Sequence, residues 1–130
     1  MNNARILIVD DNHANQHLIS YILEYDGFEV LTADDAESAL EIIDKTPPVL
    51  ILMDIALPGM DGLTLTRQLK ANPTTSHIKI VALTAYAMKG DDEKAREAGC
   101  DGYITKPIDT RGISEEVRGF LGGMAQTDTE

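Results

Sequence analysis

The chain has 130 residues, enough for one domain with its own core and no metal or disulfide staple. Its net charge of −11 argues against a nucleic-acid surface, which needs a basic patch, and its single cysteine, Cys100, excludes an internal disulfide. No apolar run approaches membrane-spanning length, and the N-terminus lacks a signal peptide's basic, apolar and small-residue series, so a cytoplasmic location is expected.

The first element is "ILIVD" (Ile6 to Asp10), one of three nearly unbroken apolar runs. Such runs lack the alternation of a half-exposed strand and match strands buried on both faces of a parallel sheet. A helix is expected from His13 to Asp26, with Ala14, Leu18, Ile22 and Tyr25 on one face and Ile19 and Leu23 beside them. Asn12 is its candidate cap and Gly27 its stop. "FEVLTA" (Phe28 to Ala33) reads as a weaker strand. The next helix, Asp35 to Lys45, carries Ala36, Ala39, Leu40 and Ile43 on one face; Asp34 and Glu37 have capping-box spacing, and Pro47-Pro48 ends it.

The second long run, "VLILMD" (Val49 to Asp54), is followed by a helix expected over Asp61 to Ala71, with Asp61 as its cap. The third, "IKIVALT" (Ile78 to Thr84), precedes a helix from Met88 to Ala98. "GYIT" (Gly102 to Thr105) and a helix from Asp109 to Leu121 complete the series. Residues 1–122 are expected to form one domain and residues 123–130 a disordered tail. Five strand–helix units predict an α/β fold of the flavodoxin-like kind: a doubly wound, five-stranded parallel sheet of order 2-1-3-4-5, with helices on both faces.

In such sheets ligands bind outside the carboxyl ends of the strands, near the point where strand order reverses. The residues there are Asp10 and Asp11 after the first strand, Asp54 after the third, Thr84 after the fourth and Lys106 after the fifth. Strands one and three are neighbours in the expected order, so three carboxylates converge, and like charges at short range oppose one another's ionisation. A divalent cation relieves this. An all-oxygen set suits Mg²⁺, and no His/Cys cluster competes for a softer metal. A magnesium ion flanked by a hydroxyl and an ammonium suits phosphoryl transfer, with Asp54 as the attacking carboxylate and Asp10 and Asp11 on the metal.

Each residue also has an ordinary role. Asp-Asp-Asn before a helix, seen alone, is more often a capping cluster than a metal site. Thr84 is an apt β-branched strand end, Lys106 a solvated lysine, and Asp54 a cap for the following turn. Their coincidence at one sheet edge is what separates the two readings.

With "ILIVDDN", "LILMDIALPGMDG", "IVALTA" and "YITKPI" in this order, the chain resembles the receiver domains of two-component response regulators from Arg5 to about Leu121. The resemblance implies that Asp54 accepts a phosphoryl group from a histidine kinase or histidine phosphotransfer protein. It implies one Mg²⁺ held by Asp10, Asp11, Asp54 and the Ala56 backbone carbonyl, with Thr84 and Lys106 on the phosphoryl oxygens. Pro107 would follow a cis bond. Tyr103, three residues before the lysine, would turn inward as Thr84 moves, and Ala56 and Tyr86 would tune phosphoryl lifetime, with Tyr86 shielding it toward a moderately long life. The first helix is the expected docking surface for the histidine-bearing partner, while His13 and His17 read as exposed helix residues.

The absence of an effector unit after the fifth helix leads us to expect a stand-alone receiver; "DDNHANQHLI", "TAYAMKGDDEKAREAGCDGYITKPI" and the short tail are most similar to the DivK-like group of single-domain regulators, and are similar also to receivers attached to hybrid histidine kinases. Such a receiver would signal by binding a protein target, with no role for nucleic acid or membrane. It would be no enzyme beyond its own phosphorylation and dephosphorylation. Other readings are a relay passing phosphate to a histidine phosphotransfer protein, a magnesium-dependent phosphohydrolase with an aspartyl intermediate, and a pseudo-receiver scaffold. Against the phosphohydrolase, no second acid stands two residues beyond Asp54 and no cap insertion is present. Against the scaffold, all five site positions hold competent residues.

Overall fold

The computed structural model describes residues 4–55, 59, 62–84, 91–105 and 110–129, with 91, 92 and 122–129 described by backbone alone. Strands β1 (Arg5–Val9), β2 (Glu29–Ala33), β3 (Leu50–Asp54), β4 (Lys79–Thr84) and β5 (Gly102–Thr105) alternate with helices α1 (His13–Tyr25), α2 (Ala36–Lys45), α3 (Gly62–Ala71), α4 (Asp91–Ala98) and α5 (Ile113–Thr129). The strands form one parallel sheet of order β2-β1-β3-β4-β5, as expected.

The unbroken apolar runs follow from burial on two faces at once. Leu7, Val9, Ile51, Met53, Ile80 and Ala82 pack against α2, α3 and α4 through Ala39, Ile43, Leu65, Leu69 and Ala95. Their strand neighbours Ile6, Ile8, Leu50, Leu52, Val81 and Leu83 face α1 and α5 through Ile19, Leu23, Ile113, Val117 and Leu121. Successive side chains of a strand point to opposite faces, so two apolar layers require apolar residues at every position. Every residue of β3 is buried.

Three expectations need correction. The inner face of α1 is Gln16, Ile19 and Leu23, whereas Ala14, Leu18 and Tyr25 lie outside and Ile22 is only partly buried. Two stripes of helical spacing compete on this helix. The sheet takes the stripe with Ile19 and Leu23, which also carries Gln16, and leaves the tyrosines outward, where their hydroxyls can meet water. On α2 the cap is Asp35, whose side chain accepts from the Ser38 N–H at 2.8 Å; the Asp34 carboxylate is engaged elsewhere, and Leu40 is turned out. Finally, α5 starts at Ile113 and stays helical to Thr129, through most of the expected tail. Gly122 and Gly123 cost only about 1 kcal/mol each against Ala, which weakens but does not stop a helix already nucleated.

The remaining boundaries follow local chemistry. Asn12 caps α1 by accepting from the Asn15 N–H, and Gly27 takes the left-handed conformation (φ +97°) after its last turn.

Candidate functional site

The pairing of β1 with β3, in which Val9 lies opposite Met53, sets the residues that follow side by side at the carboxyl edge. Asp10 and Asp54 are buried there, at 0% and 5% exposure, and Asp11 is exposed. One carboxylate oxygen from each of the three lies within 4.8 Å of the other two. Thr84, also buried, closes the adjacent strand, where Asp54 lies opposite Leu83. Tyr103 lies on β5 opposite Ala82 and is partly open to solvent. Ala56, Asp61, Tyr86, Lys106 and Pro107 lie outside the described residues.

Local contacts fix the carboxylates. Asp10 Oδ1 accepts from the Asn12 N–H at 2.9 Å, and its backbone N–H donates to the Ala33 carbonyl at 3.1 Å. The start of α3 presses on the end of β3: a side chain at Gly62 would collide with the Asp54 carbonyl oxygen and with Ile55 Cα. The Gly62 N–H donates to the Ile55 carbonyl, and the buried Thr66 hydroxyl donates back to the Gly62 carbonyl at 2.8 Å. Glycine at 62 therefore lets a helix N-terminus approach the strand end that bears Asp54.

Three hard oxygen donors suit a small divalent ion. Oxygens bound directly to Mg²⁺ lie about 3 Å apart when cis and about 4 Å when trans, so the observed cluster needs little closure or one bridging water. Beside it lies a further carboxylate. Asp34 Oδ2 is 3.0 Å from His13 Nε2, and Oδ1 accepts from Gln16 Nε2 at 2.7 Å. The His13 hydrogen bond and then that of Gln16 hold the Asp34 carboxyl below the ordinary 3.8. His13 and His17 are exposed, as expected, although His13 has this partner.

Two residues at this edge take roles that the motifs do not announce, although Gly62 closes the run "LILMDIALPGMDG". Gly62 shows no sequence signal of its backbone contact. Gln16 does: it shares helical spacing with Ile19 and Leu23, and a polar group on an apolar stripe must find buried partners. Cys100, buried beside Thr66 with Sγ 3.9 Å from Oγ1, is part of the core. Burial pushes its thiol pKa up, partly offset by the Thr66 contact.

Sheet order and the acidic edge define a class of protein. The chain belongs to the response regulator receiver domains, whose family model matches residues 6–118. It is similar to the polar-differentiation response regulator DivK of Brucella anthropi, at 40% identity over 117 residues, 90% of this chain and 95% of that protein. The receiver domain of a sensor histidine kinase from Pseudomonas aeruginosa, solved with a magnesium ion coordinated in its active-site cleft, matches with a TM-score of 0.83. It is 32% identical and covers 93% of this chain and 99% of that one. A co-crystal structure of a Saccharomyces cerevisiae histidine phosphotransfer protein and the receiver domain of its downstream response regulator matches with a TM-score of 0.89. Identity there is 27%, over 98% of this chain and 95% of that one. The chain is thus a receiver of two-component signalling, DivK-like in sequence. Among the described residues, no helix is long and apolar enough to cross a membrane.

Proposed function

We propose that this receiver takes a phosphoryl group onto Asp54 from a phosphohistidine donor, in a reaction that requires one Mg²⁺. The convergence of Asp10, Asp11 and Asp54 oxygens within 4.8 Å is the observation that carries this reading. Those carboxylates and the Ala56 carbonyl would hold the ion, which supplies positive charge against the oxygens of the transferring group. An Asp54 carboxylate oxygen attacks phosphorus; the new O–P bond forms as the P–N bond to the donor imidazole breaks, and the imidazole leaves with the electron pair. The Thr84 hydroxyl and the Lys106 ammonium hold the phosphoryl oxygens. Burial of Asp54 and Thr84 keeps bulk water from most of the site and strengthens these charge interactions.

Phosphorylation then draws Thr84 toward the new oxygens, and Tyr103, which is 42% exposed, turns inward. Ala56 and Tyr86 set how fast water removes the phosphoryl group. The chain itself catalyses only its own phosphorylation and dephosphorylation, in the cytoplasm.

The donor is a histidine kinase or a histidine phosphotransfer protein, and α1 is its docking face. Ala14, Leu18, Tyr21 and Tyr25 are exposed on that helix at spacings of four, three and four, an apolar strip that leads away from the acidic edge. The yeast complex, in which a histidine phosphotransfer protein is paired with the receiver domain of its downstream response regulator, supports a phosphotransfer protein as donor; a relay that passes the phosphate onward to such a protein is a second reading. Both readings share the first step. Intact-mass measurement after incubation with acetyl phosphate tests it. One added phosphate on the wild type with Mg²⁺, and none on Asp54→Asn, is expected; phosphate on Asp54→Asn, or none on the wild type from acetyl phosphate or cognate kinases, overturns it.

A further inference from the structure

Gln16 is a buried amide in the inner face of α1, at 5% exposure. Its nitrogen reaches three acceptors: the Asp10 carbonyl at 2.5 Å, Asp34 Oδ1 at 2.7 Å and the Ala33 carbonyl at 3.2 Å. Two backbone carbonyls and a carboxylate can only accept, so the amide must present its nitrogen and not its oxygen to them. The Ala33 carbonyl also takes the Asp10 N–H, and Asp34 is held from outside by His13. One side chain therefore ties α1 to the ends of β1 and β2 and to the turn before α2.

We infer that Gln16 is a positioning residue for the cation site. The peptide between Asp10 and Asp11 is planar and stiff, so fixing its carbonyl fixes the direction in which the chain enters Asp11. Asp10 has a further anchor, the Asn12 N–H on its carboxylate. Asp11 is exposed, and the orientation of that peptide decides whether its carboxylate turns toward Asp10 and Asp54. Gln16 thus preorganises three like charges for an ion without contacting the ion. The inference rests on the reading of Asp10, Asp11 and Asp54 as a cation site.

Mg²⁺ affinity, measured calorimetrically well below the unfolding temperature, separates this role from a purely structural one. Gln16→Met keeps the length and removes the donors; it should bind Mg²⁺ about tenfold more weakly or worse, the usual cost of losing a group that orients a metal ligand. The Asp11 amide resonance should also shift in the Mg²⁺-free protein. Ile19→Val, which trims the same buried helix face, should lower the melting temperature and leave the affinity unchanged. Should Gln16→Met fail to fold, Gln16→Asn, one methylene too short, carries the same expectation. A Gln16 variant that binds within roughly twofold of wild type overturns the positioning role, as does an Ile19→Val protein that loses as much affinity. A wild type that takes up no Mg²⁺ overturns the cation-site reading and this role with it; a wild type that binds normally beside an unaffected Gln16 variant overturns this role alone.

Discussion

Asp54 ends a strand whose every residue is buried, and a carboxylate in that position is expensive unless its charge is met. Two further acids stand within reach, so the ion-free site carries repulsion that a bound cation removes. Mg²⁺ should therefore stabilise the fold: at a hundredfold excess over its dissociation constant, the unfolding free energy should rise by about 2.7 kcal/mol. Thermal melts with and without Mg²⁺ read this directly, and Asp10→Asn should show a much smaller rise. Asp34 makes a separate statement about acid. Its folded pKa lies below 3.8, so the stability it contributes is fully present above that value and is lost as pH falls through the folded pKa. The gap in melting temperature between wild type and Asp34→Asn should accordingly shrink below about pH 4. Cys100, with a raised pKa inside the core, should react with a thiol reagent only as the protein unfolds.

Among the elements, the strands were the most legible, because burial on two faces leaves an unbroken aliphatic signature. Their observed bounds differ from expectation by at most one residue. Helix orientation was less so. α1 offers two stripes of helical spacing, and only the position of the sheet chooses Gln16, Ile19 and Leu23 over Ala14, Leu18 and Tyr25. The outward stripe has a testable consequence: Tyr21→Ser and Tyr25→Ser should change the stability of the free protein by no more than about 0.5 kcal/mol, yet slow phosphotransfer from a cognate donor. Equal transfer rates would remove α1 as the docking face. Gly62 behaves oppositely. A methyl group there meets strand backbone that cannot give way, so Gly62→Ala should cost about 1–3 kcal/mol in chemical denaturation. It should also slow phosphorylation, because the displaced backbone belongs to Asp54. No local sequence pattern announces this contact, which joins two elements only after the sheet has formed.

For the whole molecule, strand order does the decisive work. Placing β1 beside β3 brings Asp10 and Asp11 to Asp54, and placing β4 on the other side of β3 adds Thr84. That order was legible from the alternation of elements and the handedness of crossovers, and the acidic cluster followed from it. The support around the cluster was legible only in part: Gln16 on an apolar stripe signals a buried polar group, but its partners, Asp34 among them, are set by side-chain orientation between α1, β2 and the following turn rather than by the order of elements. The proposed function requires one covalent bond, between an Asp54 carboxylate oxygen and phosphorus. Borohydride reduces an aspartyl phosphate to homoserine, so reduction after incubation with acetyl phosphate, followed by peptide mass mapping, marks the acceptor itself. The prediction is homoserine at position 54 and nowhere else, formed only when Mg²⁺ is present. The mark at Asp10 or Asp11, its formation without a divalent ion, or phosphate resistant to reduction on a histidine would contradict it.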